Sequence, residues 1–180
     1  MIRINCEFLN SMLSRAMVIV AATAVVAVTS APSAQARPGG SPLNGRYLAT
    51  SNGDWATTND VYRDETTVRQ VWTITSSCVD STSCTGQVSS SAGWTADLRY
   101  DGAWWVIERV VDGWEPCADG TSAPGDQKYH FWGVDPAGQT DDTNTTLLAG
   151  SDTTFGRSGA CGINKLLVIT LPMRLQRIIQ

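Results

Sequence analysis

A single histidine, His130, stands among 180 residues, which leaves little for metal or general-base chemistry to use. No Cys-x-x-Cys pair occurs, so the sequence lacks the ligand spacing of a zinc site and no metal is expected. There is no phosphate-cradling Gly loop, calcium loop or cofactor motif, and no cofactor is expected. Charged residues make up only 17% of the chain, with no basic run anywhere. That argues against nucleic acid and anionic lipid surfaces as partners. Long apolar runs are missing too: residues 16–28 make a run of 13, apolar except for Thr23, where a membrane span needs roughly 20. Helical periodicity is also absent. A short helix after Asn59 is disfavoured because Val, Tyr and Thr are poor helix formers and the charges have no helical spacing.

What is present begins with a leader. Arg3 and Arg15 precede the apolar run, and Ala34-Gln35-Ala36 has the small-x-small form that signal peptidase accepts. Residues 1–36 therefore read as a signal peptide cleaved after Ala36, residues 37–44 as a flexible Pro- and Gly-rich lead-in, and residues 45–180 as one β domain. Cys6 precedes the run and no Cys follows it closely, so neither a lipid anchor nor a stable membrane anchor is expected after cleavage. Met12 is an alternative start, leaving Arg15, the apolar core and the cleavage site as a compact signal. The mature part holds 11 basic and 16 acidic residues, four cysteines and all seven Trp. The simplest reading of that Trp density is a tryptophan-rich β core, with a ligand platform using some of the rings as the alternative.

The strongest pattern is a hairpin. Trp94, Ala96, Leu98 and Tyr100 alternate with Thr95, Asp97 and Arg99, as in a strand with one wet face. Asp101-Gly102 suits a two-residue type I′ turn, so a return strand is expected from near Ala103 to Val111, with Trp104 and Trp105 on opposite faces. Further strands are expected at Gly45–Ser51, 66–76, 85–90, 127–134, 143–149 and 164–171, the last halted by Pro172. Residues 55–65 read as a polar connection with Trp55, Val61 and Tyr62 able to plug it onto the sheet. Residues 78–84, 112–125 and 150–162 read as loops, and 173–180 as a tail that lies along the sheet or frays. About eight antiparallel strands without a helix make an all-β meander, closed as a barrel or folded as a sandwich. The barrel is favoured because sequential hairpins build it and closure removes edge strands.

Four cysteines in an exported domain suggest two disulfides, with three possible connectivities. Cys78–Cys84, bracketing a turn, and Cys117–Cys161, tying two loops, is the preferred pairing. Loop-closure entropy assigns about 2.4 kcal/mol to the short link and about 4 kcal/mol to the long one.

Catalytic constellations are sparse. His130, Asp135 or Asp141, and Ser158 follow His-Asp-Ser order, but Gly156-Arg157-Ser158-Gly159-Ala160 is not a Gly-x-Ser-x-Gly elbow. The short distance from His130 to Ser158 also leaves no room for a two-barrel protease scaffold. Acids recur at Asp64-Glu65, Asp97, Asp101, Glu108, Asp112, Glu115 and Asp141-Asp142, and a glycosidase would need two of them facing one cleft. A solvated face is the simpler reading, with Asp97 and Glu108 forming cross-strand ion pairs with Arg99 and Arg109.

Gly45-Arg46-Tyr47, Asn52-Gly53-Asp54-Trp55, Thr66-Thr67-Val68-Arg69 with Trp72, Ser76-Ser77-Cys78 through Cys84-Thr85-Gly86, Trp94, Trp114-Glu115-Pro116-Cys117 and Ser158-Gly159-Ala160-Cys161-Gly162 together carry a resemblance. From residues 43 to 178 the chain resembles a family of small exported proteins of mycobacteria and related actinobacteria, a family with no established function. A looser similarity, in the opening Gly-x-Tyr, the Trp before Ser-Ser-Cys…Cys and a later Trp strand, is to extracytoplasmic sensor segments of actinobacterial receptor-type Ser/Thr kinases. The Gly-x-Tyr start is also similar to the Gly-x-Trp start of lipocalin-like barrels. These resemblances imply an exported domain and carry over no catalytic residue.

The expectation is a secreted, disulfide-stabilised binding domain that is not an enzyme. It takes a small apolar ligand or lipid, or a cell-envelope or host protein, through Trp72, Trp94, Trp104, Trp132 and Tyr129. An envelope hydrolase using acidic loop residues and a ligand-free structural or interaction protein are the alternatives.

Overall fold

The computed structural model describes residues 41–179. The leader, its cleavage after Ala36 and the first residues of the lead-in lie outside the described residues. Strands run at β1 (Gly45–Ser51), β2 (Thr57–Thr58), β3 (Val61–Tyr62), β4 (Val68–Asp80), β5 (Ser83–Ser90), β6 (Thr95–Tyr100), β7 (Trp105–Pro116), β8 (Ser122–Gly133), β9 (Leu147–Gly156) and β10 (Val168–Arg177), with two single 3₁₀ turns, Gly53–Trp55 and Ala160–Gly162. β1 and then β4 through β10 pair in sequence order, all antiparallel, and β10 returns to β1. The result is a closed barrel of eight strands, so the barrel expected from the alternation holds and the sandwich is set aside.

The period-2 pattern explains the interior. Tyr47, Ala49, Trp72, Ile74, Val88, Leu98, Trp105, Ile107, Tyr129, Phe131, Leu148, Met173 and Leu175 form one buried cluster. Their outward neighbours are polar or half-exposed, except Val106, which is buried. One end is stoppered. Leu43 is fully buried, its N–H donates to Ser76 Oγ at 2.8 Å, and that hydroxyl donates to the Leu43 carbonyl at 2.9 Å. Leu43 in the expected lead-in is thus docked. Tyr47 Oη donates to the Thr145 carbonyl at 2.9 Å, and Asn144 Nδ2 donates to the Val134 carbonyl at 2.7 Å, so the 134–146 loop closes the same end.

Several boundaries depart from expectation for identifiable reasons. The 101–104 connection is a four-residue loop and not a two-residue type I′ turn. Only Gly102 takes a positive φ, of 93°, and Asp101 Oδ1 accepts the N–H groups of Ala103 and Trp104. The carboxylate holds an Asx turn that delays β7 to Trp105. The expected 78–84 loop shrinks to two residues, because Cys78 and Cys84 are a directly opposed cross-strand pair, 3.9 Å apart at Cα. The 112–125 loop is mostly strand: β7 and β8 extend past a bulge between Val111 and Glu115. Their tip turn is held by Asp119, which accepts from the Thr121 N–H and hydroxyl.

β9 occupies the small-residue segment expected to be a loop, and β10 passes straight through Pro172. Proline is tolerated because β10 changes partner there, from β2 at Ile169 and Thr170 to β1 from Met173 onward. Leu166, in the most apolar run of the mature chain, lies before the strand and is 46% exposed. Trp55, Val61 and Tyr62 do not plug the 52–67 connection; they are 62%, 66% and 74% exposed, and Ala56 and Gly53 are buried instead. Both disulfides form as preferred, Cys78–Cys84 and Cys117–Cys161.

Candidate functional site: the open mouth of the barrel

The interior changes character toward the end opposite the Leu43 stopper. A cavity of about 290 Å³ lies there, lined by apolar Val68, Val111, Trp114, Ile169 and Leu171 together with polar Glu65, Gln70, Arg109, Gln127, Tyr129 and Asp152. Apart from Trp114, which lies in the β7 bulge, each lining residue of a strand is an inward position of the same alternation that builds the core. Gly125 leaves space for the Trp114 ring: a Cβ built there would lie 2.8 Å from the indole.

The polar part is a connected chain. Arg109 Nε donates to Gln127 Oε1 at 2.7 Å, Gln127 Nε2 donates to Asp152 Oδ1 at 2.7 Å, and Ser51 Oγ donates to Asp152 Oδ2 at 2.7 Å. The Gln127 amide is therefore oriented from both sides. Beside it, Gln70 Oε1 accepts from Ser90 Oγ at 2.7 Å, Trp72 Nε1 at 3.1 Å and Trp94 Nε1 at 3.2 Å. The Arg109 guanidinium lies 4.5 Å from the Trp94 ring centroid, a cation–π contact that holds its plane.

Burial pushes the Asp152 carboxyl above the usual carboxylate range, although the Ser51 and Gln127 hydrogen bonds and nearby Arg109 favour its anion. Burial likewise raises the Tyr129 phenol, reinforced by the Asp152 charge and opposed by Arg109 and Gln127. A carboxyl whose folded pKa exceeds its unfolded value adds stability below the unfolded pKa of 3.8 and loses that advantage as pH rises through the folded value. The stability of Asp152→Asn relative to the parent is therefore expected to rise from pH 4 to pH 7. Urea unfolding of both chains across that range checks it. A stability difference that is flat, or that moves against the variant toward neutral pH, would refute it.

The five aromatic residues expected to bind do not converge on one place. Trp72 is a core residue, edge-on to Trp94 at 5.5 Å and to Tyr129 at 4.9 Å. Trp94 and Tyr129 stack at 6.0 Å below the mouth. Trp104, His130 and Trp132 cluster on the outer wall with Trp104 between the other two, 4.4 Å from the imidazole and 4.7 Å from Trp132, which are 6.2 Å apart. Burial, then Lys128, lowers the His130 pKa, and Asp101 opposes them. A tryptophan-rich core accounts for three of the rings, Trp72 and Trp105 buried within it and Trp94 packed against it.

Arg109, Gln127 and Asp152 escaped the sequence reading. Arg109 was expected to pair outward with a carboxylate, but it continues the inward series Trp105, Ile107. Asp152 was hidden in a presumed loop, where Leu148, Gly150, Asp152, Thr154 and Gly156 are in fact the inward positions of β9. The alternation was the available signal in both. Arg99 does pair with Glu108, at 3.2 Å, and Lys128 joins it at 3.4 Å. Ser158 donates to Asn164 Oδ1, Asp135 accepts from its own turn, and His130 packs against Trp104 and Trp132. Of the acids singled out from sequence, Glu65 lines the mouth.

No protein family and no curated protein matches the chain in sequence. In structure it is similar to the monomer form of the M. tuberculosis PknI sensor domain, with a TM-score of 0.55 and 15% identity over 77% of this chain and 88% of that one. At that identity the likeness shows the fold alone. It is consistent with the looser similarity to sensor segments, and the two disulfides fit a disulfide-stabilised extracellular β domain.

Proposed function

We propose that this chain is an exported binding domain that holds one small ligand in the open mouth of its barrel. The observation that carries the reading is the Ser51–Asp152–Gln127–Arg109 chain bordering a cavity that apolar side chains also line. Eight-stranded barrels have interiors that are either filled by side chains or hold one small ligand, and here the stoppered half does the first while the mouth does the second. Interior polar groups cost stability unless satisfied, and a packed core needs none, so their place at the open end is explained by something that enters there. The ligand is amphipathic, because a purely apolar one would leave the Arg109 and Asp152 side facing hydrocarbon. The leader, the disulfides and the likeness to a sensor domain support a location outside the cytoplasm.

Native mass spectrometry on protein purified from its own secretion pathway tests this. A mass that falls on denaturation without reductant is expected, together with loss of the bound species in Val68→Trp, which narrows the rim at a half-exposed position. An unchanged mass would count against the mouth. It would favour the second reading, a protein partner docked on the outer Trp104–His130–Trp132 cluster.

A further inference from the structure

Resting on the reading of the mouth as a ligand site, we propose that its ligand is a small carboxylic acid whose carboxylate pairs with the guanidinium of Arg109. Arg109 is the one cationic side chain among the residues that line the cavity. Its Nε is committed to Gln127 and one face of its plane is committed to Trp94. No carboxylate of the described residues lies within 4.0 Å of it; the ion pairs there are Arg99–Glu108, Lys128–Glu108 and Arg157–Asp126, all on the outer surface. Asp152, a buried acid, spends both oxygens on Ser51 and Gln127; it acts on Arg109 through space and through the Gln127 amide, without a direct ion pair.

A guanidinium held in one plane and lacking a carboxylate partner is a preorganised fork for a carboxylate, which it meets through two parallel N–H···O bonds. Preorganisation matters here because Arg109 has already lost its side-chain freedom to Gln127 and Trp94, so the ligand does not bear that cost. A dianion such as phosphate suits the place less well, since Glu65 and Asp152 line the same cavity and would repel a second charge. The rest of the molecule is apolar and short. Val68, Val111, Trp114, Ile169 and Leu171 present hydrocarbon and an indole, and a cavity of this size equals roughly ten water volumes, so the occupant has on the order of ten non-hydrogen atoms.

Octanoate, octan-1-ol and octylammonium share one chain and differ in head-group charge, which makes them the probes. The chain is unfolded and refolded without reductant to strip any resident ligand, then titrated at pH 7 by calorimetry and by following the tryptophan indole N–H resonances. Octanoate is expected to bind at least about tenfold more tightly than either companion, moving the Trp94 and Trp114 resonances and leaving Trp104 and Trp132 in place. Arg109→Gln is expected to remove that preference, bringing octanoate to the affinity of octan-1-ol. Arg109→Lys, which keeps the charge but not the fork, should retain part of it and serves if the Gln variant folds poorly. Octanoate binding no better than octan-1-ol, or unchanged in folded Arg109→Gln, overturns the carboxylate assignment and leaves the mouth as a ligand site. Titrations in which no probe moves Trp94 or Trp114 overturn both.

Discussion

Replacing Trp72 with alanine is expected to lower the free energy of unfolding by about 3–5 kcal/mol, the cost of emptying a large buried site that can relax only in part. The ring is fully buried and meets Trp94 and Tyr129 edge-on, with Phe131 tilted against it at 6.4 Å. Its indole N–H is one of three donors on Gln70 Oε1. Trp72→Phe keeps most of the apolar volume and leaves Gln70 two donors, so its cost should be near 1–2 kcal/mol. Trp104→Ala, on the outer wall, should cost about 1 kcal/mol or less. Urea unfolding of the three variants checks the order. If Trp72→Ala cost no more than Trp104→Ala, the core described above would be misplaced. The result also bears on function, because Trp72 forms the floor on which Trp94, and through it Arg109, is seated.

Removing the Cys117–Cys161 link as the double Ala variant is expected to cost about 4 kcal/mol, since the bond closes a 44-residue separation. The Cys78–Cys84 double Ala variant, closing six residues, should lose about 2.4 kcal/mol from the same source. Cys84 is buried in the core and its pair extends a hairpin already held by backbone bonds, whereas Cys117 and Cys161 join two excursions that no strand pairing connects. Both excursions border the mouth. Loss of the long link should therefore also weaken octanoate binding, through Trp114 on the freed hairpin, while loss of the short link should not. Unfolding under non-reducing conditions ranks the two pairs. A larger loss for the short pair would mean that native-state packing, and not loop closure, sets the value of these bonds.

Much of this architecture is legible in the chain because it depends on alternation. Trp94, Ala96, Leu98 and Tyr100 face inward as their spacing requires, and so do Tyr129 and Phe131 on β8. Legibility fails where small or polar residues face the interior. Gly150, Asp152, Thr154 and Gly156 look like a loop because the hydrophobic signal needs side chains that the narrow barrel has no room for at those positions. It fails again where turn chemistry competes with strand chemistry. Asp101-Gly102 satisfies a type I′ pattern, yet its carboxylate finds two backbone N–H groups and builds a longer loop. Trp55 and Tyr62 fail in the opposite sense: they are apolar enough for a core, but the short β2–β3 hairpin carries them outward at the rim.

The sequence by itself determined an all-β domain of about eight antiparallel strands and the inward face of most of them, because both follow from local periodicity and turn spacing; it favoured one pairing of the four cysteines, which the structure then settled. Only the tertiary structure decided that the sheet closes. Closure depends on β1 meeting a segment that reads as a tail, and no local pattern specifies a partner more than a hundred residues away. The mouth was decided there as well. Arg109, Gln127 and Asp152 come from β7, β8 and β9, and their chain of hydrogen bonds exists only once those three strands lie side by side.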